Sequence, residues 1–131
     1  MGQVSKLNLT SLAAGQLSVV ASLEGGVLRV ALTGNADMRS ALQLQDWLHA
    51  LHGEAMRLNV SETVVDLRTL EFMNSSCFKG FLSWISEVRD GDAAHQYRIR
   101  FLSDPSMLWQ RRSLHALSCF AVDLITIEAH S

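Results

Sequence analysis

The sequence is short of almost everything that marks specialised chemistry. Its 131 residues include two cysteines and one proline. Cys77 and Cys119 have no CxxC partner and no companion histidine at metal-ligand spacing. That excludes a disulfide framework and a zinc site, and it reads as reduced thiols in a cytoplasmic protein. No apolar run approaches the roughly 18 residues of a membrane span. The opening MGQVSKLNLTSLAAG has no charged region ahead of a long apolar core, so a secretory signal is not expected. Lys6 stands where a myristoylation signal needs a hydroxyl. Charged residues make up 18% of the chain and the net charge is −2, with no clustered basic face to suggest nucleic acid.

Catalytic patterns are missing too. There is no Gly-rich phosphate loop of the Walker kind and no Gly-x-Ser-x-Gly elbow. The histidines, His49, His52, His95, His115 and His130, are scattered along the chain. No cofactor, metal or catalytic residue is therefore assigned.

What is present is an ordinary globular composition, 48% apolar, in a chain long enough for one domain with its own core. Residues 1–16 read as a polar leader and 17–128 as the domain. Leu17 to Leu23 and Val27 to Leu32 read as strands around the turn Glu24-Gly25-Gly26. Ala41, Leu44, Leu48, Leu51 and Ala55 recur at a helical period. Thr63 to Leu67 is a short buried strand. A second helix carries Phe78, Phe81, Leu82, Ile85 and Val88 on one face and stops at Asp90-Gly91-Asp92. Tyr97 to Leu102 alternates as a strand, Asp104-Pro105 predicts the start of a third helix running to about Ser118, and Val122 to Ile127 is the last strand.

The order β-β-α-β-α-β-α-β predicts an α/β domain with a mixed, mostly parallel sheet entered by a β-hairpin. Right-handed crossovers put the strand-to-helix loops on one sheet edge. Gly34 to Asp37 and Met73 to Ser76 are neighbours there, where open α/β sheets bind ligands and partners.

The second of these loops, in LEFMNSSCFKG at 70–80, holds more polar residues than a helix cap needs. Asn74 or Ser75 as cap is worth about 1 kcal/mol and leaves a further hydroxyl unassigned. Phosphorylation at a helix start adds about −1.5 to −2 charges, which backbone N–H groups accept and a packed partner does not. Cys77, in the same turn, is open to a thiol reading through dipole-lowered pKa. Trp84 flanks the apolar stripe as core edge or partner anchor, and Arg111 and Arg112 read as solvated charges.

LTGNAD at 32–37 matches an L-x-G-x-x-D pattern, and VVDLRTLEFMNSSCFKGFL at 64–82 follows a strand, Asp-Leu, then a hydroxyl-bearing loop opening a helix. With SDPSM at 103–107, these residues resemble the STAS domain of the anti-sigma factor antagonists (anti-anti-sigma factors) over about 17 to 128. The resemblance implies a regulatory protein, not an enzyme, that binds a serine kinase of the histidine-kinase-like ATPase fold. That kinase is itself the anti-sigma factor, and a PP2C-type phosphatase reverses it. By position the phosphoryl acceptor is Ser76, with Ser75 second, and Asn35, Asp37, Met73, Asn74 and Phe78 form the contact surface. Asn74 stands where the family has Asp, and Cys77 where it has Gly. Two rivals are a non-phosphorylated STAS subunit of a larger assembly, such as a lipid-transport ATPase, and a thiol-reactive regulator using Cys77. Nothing in the pattern fixes an oligomeric state.

Overall fold

The computed structural model describes residues 7–129, so the first residues of the leader and His130 lie outside it. Six strands form one sheet in sequential order. They are β1 (Leu12–Ala14), β2 (Leu17–Glu24), β3 (Val27–Ala36), β4 (Glu62–Met73), β5 (Arg98–Ser103) and β6 (Ile125–Ala129). The first three pair antiparallel and β3 to β6 pair in parallel. The helices α1 (Ala41–Arg57), α2 (Ser75–Asp90) and α3 (Leu108–Phe120) fill the three crossovers.

The hairpin turn has Gly25 and Gly26 at φ 56° and 80°, the doubly positive geometry that matches the strands' twist. Sequential parallel strands joined by right-handed crossovers place all three helices on one face. Alternation shows which face that is. Leu28, Val30 and Leu32 of β3 are buried, while Arg29, Ala31 and Thr33 between them face solvent. The covered side packs Leu44, Leu48 and Leu51 of α1, Phe81, Trp84 and Ile85 of α2, and Leu114 and Leu117 of α3 onto Val65, Ile99 and Phe101. The bare side carries charges instead, with Arg100 bridging Glu62 and Glu128 across β4, β5 and β6.

Four sequence expectations change. Residues 12–14, within the expected leader, form the edge strand β1. The leader is tied to the domain: Trp47 Nε1 donates to the Thr10 carbonyl at 2.8 Å and Ser40 Oγ to the Ala14 carbonyl at 2.8 Å. Strand β4 runs to Met73, not Leu67, because polar Arg68 and Thr69 interrupt its alternation at a bulge. Helix α3 starts at Leu108. The Asp104 carboxylate instead closes a turn with the N–H and hydroxyl of Ser106. Finally, Ala121 to Leu124 form the turn before β6, which begins at Ile125.

Candidate functional site

The site lies where β3 and β4 end side by side. Gly34 sits at φ 96°, and a Cβ there would lie 2.0 Å from the Gln16 carbonyl oxygen. Only glycine lets β3 pass the start of β2 so closely. Just beyond, the Asn35 amide donates to Gln16 Oε1 at 3.1 Å. Asp37 caps a short 3-10 turn, Met38–Ser40, by accepting from the Arg39 N–H, and its other oxygen holds the Arg39 guanidinium at 2.9 Å. That guanidinium keeps the Asp37 carboxyl below the usual carboxylate range.

Across the ladder Met73 pairs with Ala36, and the Asn74 N–H donates to the Ala36 carbonyl at 2.7 Å. Asn74 then turns the chain into α2, its Oδ1 accepting from the Ser76 N–H at 2.7 Å. The cap is therefore Asn74, and both serines are free of that task. Ser75 is exposed and Ser76 half-buried. Among the described residues neither hydroxyl has a hydrogen-bond partner, and no histidine is positioned to activate one. No cluster of three or more His, Cys, Asp or Glu side chains there could hold a metal ion.

Cys77 is fully buried and its thiol donates to the Asp37 carbonyl at 3.4 Å. Burial pushes the thiol up to about 11, with the nearby Asp37 charge adding to the shift. The helix start does not lower it, so the thiol stays protonated near neutral pH and the thiol-regulator reading loses its chemistry. Trp84 is equally buried, its Nε1 donating to Tyr97 Oη at 3.0 Å. It is core and presents nothing to a partner.

Ser75, Phe78 and Met73 line a shallow groove of about 350 Å³, whose other wall is Arg112, Ser113 and Ala116 of α3. The sequence reading took Arg112 for a solvated charge, because the approach of α3 to α2 that brings it here leaves no mark in either helix's own pattern. Of the eight large apolar side chains exposed among the described residues, four lie at this sheet edge. Met38 is 71% exposed, Leu42 70%, Leu108 56% and Phe72 47%. They sit respectively in the 3-10 turn, the first turn of α1, the start of α3 and the end of β4. Asn35 and Asp37, expected as contact residues, spend much of their polar capacity inside the site, on Gln16 and Arg39.

No protein-family model and no curated protein matches the chain. Solved structures do. An anti-sigma factor antagonist from Mycobacterium paratuberculosis superposes with a TM-score of 0.64 at 16% identity, over 87% of this chain and 86% of that one. The anti-sigma factor antagonist SpoIIAA, in its unphosphorylated form, superposes with a TM-score of 0.59 at 15% identity, over 86% of this chain and 89% of that one. The chain has the STAS fold. At these identities the likeness is one of architecture. In this fold, Ser75 and Ser76 open the helix that follows the fourth strand.

Proposed function

We propose that the protein is a cytoplasmic STAS-domain regulator of the anti-sigma factor antagonist type. It acts by reversible protein binding, has no catalytic centre, and is switched by serine phosphorylation at the start of α2. The partners are a serine kinase of the histidine-kinase-like ATPase fold, which is the anti-sigma factor, and a PP2C-type phosphatase.

One observation carries this reading. Two unbonded hydroxyls open α2 at a sheet edge that also exposes Met38, Leu42, Phe72 and Leu108. Exposed apolar groups on the edge that carries these hydroxyls suit a protein interface. A phosphoryl group added there places about −1.5 to −2 charges in an apolar contact, which breaks it by desolvation and repulsion, yet it meets the free N–H groups of the helix start without unfolding it. By its place in the motif the acceptor is Ser76, and Ser75 is the more exposed alternative. Asn74 preserves the cap while removing the carboxylate the family carries there. The domain also resembles in structure two anti-sigma factor antagonists, one of them in its unphosphorylated form. No helix of the described residues is long and apolar enough to cross a membrane.

Intact-mass measurement after incubation with the candidate kinase and ATP tests the proposal. One phosphate is expected on the wild type and none on Ser76→Ala, and the phosphorylated form is expected to leave the kinase complex. A phosphate that persists in Ser76→Ala and disappears in Ser75→Ala moves the acceptor by one residue. Persistence in both variants, or no transfer at all, overturns the switch.

A further inference from the structure

The charge on α3 is out of keeping with the rest of the chain. The protein is net acidic at −2, yet α3 contains Arg111, Arg112 and His115 and no Asp or Glu. Arg29, Arg39, Arg57, Arg68, Arg89 and Arg100 each face a carboxylate. Among the described residues the side chains of Arg98, Arg111 and Arg112 have neither an ion pair nor a hydrogen bond, and of these Arg111 and Arg112 stand together on α3. Leu108, Arg111, Arg112 and His115 recur at three- and four-residue steps, so they share one helix face. They line a recess of about 440 Å³. Arg112 belongs to that recess and also to the groove that Ser75 and Phe78 line, so its side chain borders both.

The geometry points to this strip as the docking site for an acidic segment of a protein partner, with apolar residues spaced to meet Leu108 and Phe78. Charge complementarity selects the occupant: unpaired guanidinium forks beside apolar surface match carboxylates interleaved with aliphatic side chains. A nucleic acid would find two arginines and a histidine here and an acidic molecule around them, which is a poor electrostatic footprint. Because Ser75 shares the groove with Arg112, a phosphate on Ser75 competes with the segment's carboxylates for that guanidinium. This last step rests on the phosphorylation proposed above, and the docking itself does not.

The test is an NMR titration of the isotope-labelled full chain with a capped peptide of alternating glutamate and leucine. Saturable shifts are expected along Leu108 to Ala116 and Met73 to Phe78. The exposed double variant Arg111→Glu/Arg112→Glu, checked by circular dichroism for an unchanged fold, is expected to weaken binding at least about tenfold. Ser75→Asp is expected to weaken it several-fold, and a lysine–leucine peptide is expected not to bind. Absence of saturable binding, shifts elsewhere on the domain, indifference to the double charge reversal, or equal binding of an oligothymidylate would overturn the assignment. Unchanged affinity in Ser75→Asp would remove the competition alone. The outcomes separate the two proposals: kinase transfer to Ser76 without peptide binding leaves only the switch, and peptide binding without transfer leaves only the dock.

Discussion

Gly34 and His52 show how much of this molecule turns on single atoms. At Gly34 the backbone is left-handed, and an added Cβ would lie 2.0 Å from the Gln16 carbonyl oxygen. Gly34→Ala is therefore expected to destabilise by more than about 2 kcal/mol, read as a lower urea midpoint, and a change under about 0.5 kcal/mol would show that the β2–β3 contact yields. His52, on α1, is buried against Tyr97. Trp84 Nε1 can only donate, so Tyr97 Oη accepts from it and passes its own proton toward His52 Nδ1 at 2.8 Å. That assignment requires neutral imidazole, and burial accordingly lowers the His52 pKa, with His49 opposing protonation and Glu87 favouring it. Above about pH 6.5 the contribution to stability is complete. As pH falls the unfolded imidazole takes up a proton that the folded one resists, so stability is lost. Urea midpoints between about pH 7 and 5 are expected to fall for the wild type and to flatten in His52→Phe; an equal slope in both would refute the neutral triad. Neither effect was legible in the sequence beyond the glycine itself, whose L-x-G-x-x-D setting marked it without explaining why it must be glycine.

At the level of elements, β4 is the most informative. Its ladder with β5 ends at Asp66 opposite Leu102, while β4 continues beside β3 to Met73 through two register shifts. The carbonyls of Leu67 and Leu70 thus lie past the end of β5, and the fully buried Gln110 of α3 supplies their donor at 2.6 and 3.1 Å. The same side chain accepts from the Asp104 N–H at 2.8 Å. One glutamine therefore fixes the start of α3 against the strand that leads into the site. Gln110→Ala strands these groups and is expected to cost about 2–3 kcal/mol, with faster amide exchange at Asp104. Unchanged exchange there would show that solvent replaces the side chain. The Asp104-Pro105 signal predicted a helix start and found a turn, because Gln110 holds the chain at Asp104 and the helix forms only after it. The α1 and α2 stripes, by contrast, were readable, since each is decided by spacing along one helix. Trp84 joined the buried stripe only once α1 and Tyr97 were in place beside it.

For the whole molecule, the consequence is that the domain begins before Leu17. Truncation to residues 17–131 would remove β1, leave the Trp47 indole without its acceptor and the Ser40 hydroxyl with only the Asp37 carboxylate at 3.5 Å, and uncover Leu17 and Val19. A loss of at least about 2 kcal/mol relative to the full chain is expected, measured by thermal or urea unfolding. Equal stability would mean that the first residues are a dispensable leader after all.

The sequence by itself determined the α/β class, the β2–β3 hairpin, the order of elements from β2 onward and the loop edge that holds Asn74, Ser75 and Ser76. Each of these follows from local periodicity, turn residues and the handedness of crossovers, which act over short stretches of chain. Only the tertiary structure decided which residue caps α2, that Cys77 is sealed beneath Asp37, and that Trp84 belongs to the core. It also brought Arg112 to the groove beside Ser75. Those outcomes depend on contacts between residues tens of positions apart, and burial and charge pairing are properties of such contacts, not of the order in which the residues occur.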